Sequence, residues 1–331
     1  MTSIVTRREL VLAAIIVAMA LLIGLRTPVF LTLNNILFVV TDTSVLIMMA
    51  LAQMTVILTR GIDLSVAANL ALTGMLVALL SHAHPGLPIP IIMLVAMAIG
   101  GGLGLVNGLL VAGLGIPPIV VTLGTMSIYR GAIFVVAGGA WLTSKDMTDA
   151  FLAFPKAEFA GLSSLTLVAA AVTIGFFVLM TLTRTGRNLY AVGGNPVAAR
   201  YCGVSLPKLQ VLVYTLTGTI SGLAGYLWVA RFGIAYADIA AGYELTVIAS
   251  CVIGGVSIAG GIGSVPGTVL GALFLGVVAN ALPLINVSPF WQMAISGAVI
   301  LAAVIVNTRS EWRPRKLILR EARRAAAGGQ K

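Results

Sequence analysis

Long apolar runs separated by short polar breaks dominate the pattern of this chain. Most runs are close to the ~20 residues that a helix needs to cross a bilayer. Because lipid offers no partner to unpaired backbone groups, each run is expected to be helical. The pattern therefore predicts an all-α integral membrane protein of about ten transmembrane helices. The predicted spans are 9–25, 36–58, 64–81, 89–112, 118–138, 164–183, 209–230, 244–260, 267–285 and 289–307.

Polar residues and prolines mark where several of these helices begin. Asn35 and Asp63 are suited to cap the second and third spans with their side-chain oxygens. Prolines at 117–118, 266 and 289 indicate three further starts, because proline fits the first turn of a helix.

Glycines recur at every fourth position in or beside three of the predicted spans. Small residues at this spacing let helix backbones approach closely, so the pattern predicts a compact bundle and carries no chemistry of its own. The repeated positions are Gly100, Gly104 and Gly108, then Gly218 and Gly222, and finally Gly263, Gly267 and Gly271.

The composition excludes a soluble globular protein. Apolar residues make up 59% of the chain and charged residues only 9%, whereas soluble domains carry about 25% charged residues. The net charge of +10 would suggest nucleic acid in a soluble protein. Here Lys and Arg lie near the ends of apolar runs, where they orient the chain in the membrane instead, and no nucleic-acid partner is expected.

The distribution of Lys and Arg predicts the topology. With the N-terminus inside, 15 basic residues face the cytoplasm and four face the other side. Cytoplasmic loops carry such an excess, so both termini and the 184–208 loop are predicted to be cytoplasmic. Residues 1–308 then form a single transmembrane domain, followed by a basic cytoplasmic tail at 309–331.

No catalytic, metal or cofactor site is expected from the sequence. The glycine-rich segment 254–267 has Pro266 where the dinucleotide fingerprint needs glycine, and the chain has no Walker A loop. Helix packing and the lining of a path both remain open for this segment. Ser221 is the nearest approach to a nucleophile motif, but both histidines lie in a loop on the opposite face. Two Cys and two His do not make a metal site.

Polar and ionisable residues in or beside the spans are candidates for a translocation path, because such residues are costly in lipid and face an interior or a cavity. Arg130 lies about 18 Å along its helix from Pro118, and an ion pair with Asp42 or Glu244 is the alternative to substrate contact. For Asp63, the alternative to substrate contact is capping of the third span. The candidates are Gln53, Asp63, Asn107, Thr122, Thr125, Tyr129, Arg130, Trp228, Glu244, Asn280 and Gln292.

The polar stretch GGNPVAARYCG, residues 193–203, predicts a short helix within the 184–208 loop. Asn195 suits the N-cap, Pro196 the first helical position and Gly203 the stop, which gives a helix over 196–202. A helix of this length is unstable alone. It either docks into a groove of a partner, with Arg200 and Tyr201 projecting, or lies on the protein's own inner surface.

Four motifs in order resemble one branch of a transporter family. They are GIDLSV (61–66), PPIVVTLGTMSIYRG (117–131), GRNLYAVGGNPVAARYCGV (186–204) and GGVSIAGGIGSVPGTVLGALFLG (254–276). Together they look like the ribose-type sugar permeases of ATP-binding-cassette (ABC) importers. The chain departs from the pattern at Val197, where the family's coupling motif begins with Glu, and at Arg60 and Ala67, where the branch usually has glycine.

The resemblance implies the permease subunit of an importer in the bacterial inner membrane, moving a monosaccharide by alternating access. Members of this kind handle ribose, rhamnose, autoinducer-2, xylose or arabinose, and a rhamnose-type substrate is preferred on overall similarity. The implied partners are a second permease subunit (a homodimer or heterodimer), a cytoplasmic ABC ATPase and a periplasmic sugar-binding protein, besides membrane lipid. The alternative is a stand-alone secondary sugar transporter. The residues that would couple to the ATPase are Asn195, Pro196, Ala198, Ala199, Arg200, Cys202 and Gly203.

Overall fold

The computed structural model describes residues 7–284, together with 287–288, 291, 294, 297–298 and 301. Most of the predicted span 289–307, the whole tail 309–331 and the path candidate Gln292 lie outside the described residues.

Twelve α-helices make up most of the described chain. They are α1 (Arg7–Arg26), α2 (Leu33–Leu58), α3 (Val66–Ala83), α4 (Ile89–Leu114), α5 (Pro118–Ala137), α6 (Asp149–Ala153), α7 (Ser164–Leu182), α8 (Arg184–Gly194), α9 (Pro196–Tyr201), α10 (Leu206–Phe232), α11 (Tyr243–Ile253) and α12 (Val265–Leu284). Four two-residue strands form two small antiparallel ribbons. These are β1 (Leu142–Thr143) with β4 (Ile234–Ala235), and β2 (Glu158–Phe159) with β3 (Leu162–Ser163).

Eight of these helices are long and apolar enough to cross a membrane, namely α1 to α5, α7, α10 and α12. They confirm eight of the predicted spans and the all-α membrane class. The predicted span 244–260 is wrong in its extent, because α11 has 11 residues and ends at Ile253. Gly255, Gly260 and Gly261 follow with φ values of 97°, 86° and 75°, a left-handed backbone that cannot continue a helix.

Two of the predicted helix starts need correction. The N-cap of α2 is Thr32, whose side chain accepts from the Asn35 N–H, so Asn35 is the capped residue and not the cap. The N-cap of α3 is Ser65, and Asp63 acts one step earlier by accepting the Ser65 N–H at 2.8 Å. The prolines at 118 and 266 behave as predicted, since Pro118 opens α5 and Pro266 lies in the first turn of α12, whereas Pro289 lies outside the described residues.

Direct backbone contact joins α4 to α10. A side chain at Gly100 would collide with the carbonyl of Gly218, and one at Gly104 would collide with the carbonyl of Tyr214. The same holds in reverse, because a side chain at Gly222 would collide with the Ala96 carbonyl. These contacts confirm the predicted packing role of the glycine repeat.

A second glycine contact joins α11 to α12. A side chain at Gly271 would collide with the Ser250 carbonyl, and Gly267 faces Gly254 in the same way. Gly263 lies before α12 and not within it. In the segment 254–267, packing is therefore the role that the geometry demonstrates.

The bundle has two distinct ends. We call the end formed by residues 59–65, 184–205 and 254–264 the α9 end. The opposite end, formed by 138–163 and 233–242, is called the sheet end because it carries both ribbons.

The sheet end is tied together by aromatic and ionic contacts. Trp141 stacks on Tyr236 with ring centroids 4.8 Å apart, next to the β1–β4 ribbon. Arg231 at the end of α10 bonds to the Asp42 carboxylate of α2 at 2.9 Å. Helices α2 and α10 are therefore fixed to each other at this end.

The glycine contact predicts a position-specific effect of one methyl group. Gly104→Ala should lower the thermal stability of the detergent-purified protein, at a cost of about 2 kcal/mol for overpacking, because the new Cβ meets the Tyr214 backbone. Gly102→Ala is the matched control in the same helix, since nothing lies within 4 Å of its Cβ position. That variant should be neutral or up to about 1 kcal/mol more stable. Equal melting temperatures for the two variants would contradict the close packing.

Candidate translocation path and coupling site

A buried polar turn, residues 61–65, connects α2 to α3. The Asp63 carboxylate accepts the Ser65 N–H at 2.8 Å and the Ser65 hydroxyl at 2.7 Å. Asn107 of α4 donates to the Ser65 hydroxyl at 2.8 Å, and Thr122 of α5 donates to the Ile62 carbonyl at 3.2 Å. Helices α4 and α5 thus meet α3 at this turn through three of the predicted path residues.

Helix α10 contributes a residue to this turn that the sequence analysis missed. Tyr214 is fully buried, and a side chain placed at Gly61 would meet its hydroxyl at 2.7 Å. Tyr214 and Tyr226 both lie within this predicted span, and a tyrosine in a span is the signal that could have found Tyr214, since a buried tyrosine hydroxyl normally has a polar partner.

Several buried polar atoms around α2, α4 and α10 have no hydrogen-bond partner within the described part of the chain. They are both amide atoms of Gln53, the Oδ1 of Asn107, the hydroxyl of Tyr214 and the hydroxyl of Ser221. Most buried polar groups in proteins are paired, so these atoms are unusual within the described interior.

Burial changes the acidity of Asp63. Desolvation raises the pKa of its carboxyl from 3.8 to about 6, and the hydrogen bonds from Ser65 act against this rise. Burial disfavours the charged form more than these bonds favour it.

Two further path candidates on α5 are satisfied by helix backbone. Tyr129 donates its hydroxyl to the Leu103 carbonyl at 2.8 Å, and Thr125 donates to the Thr122 carbonyl at 3.3 Å. Both side chains are buried. The Tyr129 bond links α5 to α4, the Thr125 bond lies within α5, and neither hydroxyl is left unpaired.

Arg130 does not form the ion pair with Asp42 or Glu244 that was one of its two predicted roles. Its Nη1 donates to the carbonyls of Ala237 and Ile239 at 2.8 and 2.7 Å, while Asp42 pairs with Arg231 instead. The sequence could not reveal this arrangement, because the acceptors are backbone atoms of the irregular segment between α10 and α11. Arg130 anchors α5 to the sheet end.

The remaining path candidates within the described residues, Trp228, Glu244 and Asn280, do not join the polar turn. Trp228 packs against Phe232 and Tyr243, with centroid distances of 5.3 and 4.9 Å, beside the sheet end, and Glu244 lies in the first turn of α11. Asn280 accepts a hydrogen bond from the Asn35 amide at 3.2 Å, which links α12 to α2.

The short helix α9 has the predicted caps. The Asn195 side chain accepts from the N–H groups of Val197 and Ala198 at 3.1 and 3.0 Å, and Pro196 is the first helical residue. The helix ends at Tyr201, one residue earlier than predicted, with Cys202 as C-cap. Gly203 follows with φ +80°, the left-handed stop that glycine provides.

Most of α9 faces outward. Ala199 is its buried residue, whereas Val197 is 65% exposed and Tyr201 89% exposed. Cys202 is exposed and Cys251 is buried. Between α9 and the start of α10 lies an open groove of about 1050 Å³ lined by Pro196, Val197, Arg200, Tyr201, Gly203, Val204, Ser205, Leu206 and Pro207.

A second helix, α8, precedes α9 and was missed in the sequence analysis. Its buried residues are Gly186, Leu189, Val192 and Gly193, at the spacing of three and four residues that an amphipathic helix shows. That spacing, which is visible in the sequence, is the signal that could have revealed it.

Comparison with known proteins identifies the class. The chain belongs to the family described as "Branched-chain amino acid transport system / permease component", whose model matches residues 35–304. It is 36% identical to the ribose import permease protein RbsC of Escherichia coli, over 91% of this chain and 93% of that protein. No solved structure matches the chain.

Other relatives carry related names. The chain is 36% identical to the autoinducer 2 import system permease protein LsrC of an Enterobacter species, over 93% of this chain and 89% of that protein. It is 33% identical to the galactose/methyl galactoside import permease protein MglC of Haemophilus influenzae, over 89% of this chain and 93% of that protein. With eight helices in its described part long and apolar enough to cross a membrane, the chain is a multi-pass permease of the inner membrane.

The buried carboxyl of Asp63 predicts a pH-dependent stability. The raised pKa means that the folded state holds its proton more tightly than the unfolded state. This contribution to stability is complete below about pH 4 and is lost as the pH rises through about 6. At neutral pH, Asp63→Asn should be more stable than the wild type by up to about 3 kcal/mol, and the gap should close in acid. Thermal unfolding of both proteins in detergent, from about pH 4 to neutral pH, measures this stability difference. A difference that does not change with pH would contradict the prediction.

Proposed function

We propose that this chain is the membrane-spanning permease subunit of an ABC importer that carries a monosaccharide into the cell by alternating access. The single observation that carries the proposal is the similarity to import permeases named for ribose, autoinducer 2 and galactose over about nine-tenths of the chain. In this role the subunit is non-catalytic, because the chain has no Walker A loop and a separate ATPase hydrolyses ATP.

A sugar fits the buried polar groups better than an amino acid does, although the family description names branched-chain amino acids. The unpaired atoms of Gln53, Asn107, Tyr214 and Ser221 are neutral donors and acceptors, which suit hydroxyl groups. A zwitterionic amino acid would need a fixed positive charge for its carboxylate, and Asp63 is the charged residue of the turn. The particular sugar, rhamnose-type or other, stays a prediction.

The proposed orientation has the α9 end in the cytoplasm and the sheet end in the periplasm. The excess of 15 basic residues over four supports it. The sheet end then faces a periplasmic sugar-binding protein, and the α9 end faces the ATPase.

Helix α9 is proposed as the coupling helix. It is held at both ends by Asn195 and Gly203, so its direction is fixed although it is short. Val197 and Tyr201 are exposed one turn apart, and a groove lies beside them. An exposed apolar and aromatic side of a short helix is typical of docking into a partner. The acidic residue of the family motif is replaced by Val197, so this contact is apolar here.

Closure of two ATPase subunits on ATP would then pull on α9 in this chain and in a second permease subunit, and so shift a two-state bundle between its two openings. Uptake of labelled sugars into proteoliposomes tests this mechanism. Uptake should require the ATPase, internal ATP and the binding protein. Uptake by this chain alone, driven by a proton gradient, would instead establish the secondary transporter.

Cys202 provides a test of both orientation and docking. Because Cys202 is exposed and Cys251 is buried, a membrane-impermeant maleimide should label the protein in inverted vesicles and not in intact spheroplasts. Adding the ATPase should slow this labelling, and Cys202→Ser should abolish it. Labelling from the outside would reverse the proposed topology, and a rate unaffected by bound ATPase would exclude docking at α9.

Gly203 tests whether the direction of α9 matters for coupling. Gly203→Val places a β-branched residue at φ +80°, a conformation such residues avoid, so the end of α9 must shift. Sugar uptake per ATP hydrolysed should fall while the protein stays folded. Gly194→Ala is the matched control, because nothing lies within 4 Å of its Cβ position, and it should keep normal coupling. Full uptake by Gly203→Val would contradict the proposal.

A further inference from the structure

The side chain of Arg60, which follows α2, is hydrogen-bonded to the end of α8. Its Nε donates to the Gly193 carbonyl at 2.9 Å and its Nη2 donates to the Gly194 carbonyl at 3.1 Å. Gly193 and Gly194 are the last residues of α8, and Asn195, the cap of α9, follows directly. A cation bonded to the last carbonyls of a helix is favoured by the helix dipole.

The backbone of Arg60 is held in an unusual conformation. Its φ is +65°, a left-handed region that residues with a side chain rarely adopt. On its other side, the Arg60 N–H bonds to the Ile57 carbonyl at 2.9 Å and the Gly61 N–H bonds to the Val56 carbonyl at 3.1 Å. Arg60 is therefore fixed to the end of α2 by its backbone and to the end of α8 by its side chain.

The end of α8 and the end of α2 are in direct backbone contact. A side chain at Gly193 would collide with the Leu58 carbonyl and with Gly261. Gly261 donates to the same Leu58 carbonyl at 3.1 Å, and Tyr190 of α8 donates to the Gly263 carbonyl at 3.0 Å. Because closely packed groups do not deform continuously, a shift of α8 acts directly on the end of α2.

From Arg60 the chain runs straight into the buried polar turn. Gly61 lies against the Tyr214 hydroxyl of α10, Ile62 accepts from Thr122 of α5, and Ser65 accepts from Asn107 of α4. Three long helices thus contact the turn 61–65. The residue immediately before this turn is Arg60, whose side chain bonds to α8.

We infer that Arg60 is a positioning residue that transmits displacement of α8 and α9 to the polar turn 61–65. The linkage itself rests on these contacts. Its use during transport rests on the proposed function, in which the ATPase moves α9.

Hydrogen exchange of the purified permease tests the linkage without any partner. Arg60→Asn is the informative variant, because Asn tolerates the left-handed backbone but is too short to reach α8. Amide exchange should accelerate about tenfold or more in 192–203 and also in 61–66, the size expected from losing hydrogen bonds to a charged group. Arg60→Lys, which keeps the charge, should lie between this variant and the wild type.

Arg187→Gln is the matched control, since Arg187 is an exposed arginine of α8, and its exchange in both segments should equal that of the wild type. Faster exchange in 192–203 with an unchanged 61–66 segment would mean that Arg60 only caps α8, and the inference would be overturned. Unchanged exchange in both segments would overturn it as well.

The complete transporter provides the second readout. With Arg60→Asn, ATP hydrolysis should continue while sugar uptake per ATP falls severalfold, and Arg60→Lys should recover part of it. An unchanged ratio would contradict the inference. If the wild type showed no ATP-driven uptake, the proposed function would fail, and the exchange experiment would still decide the role of Arg60.

Discussion

The backbone contact between α4 and α10 is the constraint on which the rest of the structure depends. At Gly100, Gly104 and Gly218 the two helices touch without intervening side chains. In lipid, helix association gains little from the hydrophobic effect and relies on such close packing. The contact also has a chemical consequence, because it brings Asn107 of α4 and Tyr214 of α10 onto the same short turn, where Asp63 lies.

The sheet end and the interior around α2, α4 and α10 differ in how their polar groups are satisfied. At the sheet end, Arg130 bonds to two backbone carbonyls and Arg231 bonds to Asp42, so the cations that face the interior have acceptors. Around α2, α4 and α10, buried amide and hydroxyl atoms lack partners within the described residues. An interior with unpaired polar atoms suits the proposed sugar permease, because a polyol needs hydrogen-bond partners that are not already taken.

The α9 end shows how a helix too short to be stable by itself is kept in place. Asn195 caps its start and Gly203 ends it, while α8, which immediately precedes it, is packed through Gly193 against Leu58 and Gly261. Stability therefore comes from caps and from the neighbouring helix, and the exposed side of α9 remains available. Helix α9 directly follows the end of α8 that contacts Leu58 and Arg60, next to the polar turn.

The sequence by itself determined the membrane class, eight of the spanning helices, the role of the glycine repeat and the caps of α9, because hydrophobic length, residue size and backbone preference act locally. It did not determine where α11 ends, because the apolar run of this helix continues into glycines that take left-handed conformations. Nor did it determine that Tyr214 lies against Gly61, or which partners Arg130 and Asp42 have. Those partners lie far away in sequence, several are backbone atoms of irregular segments, and a hydrogen bond to a carbonyl leaves no mark on residue type. Which polar residues meet at one turn was decided only by the tertiary packing.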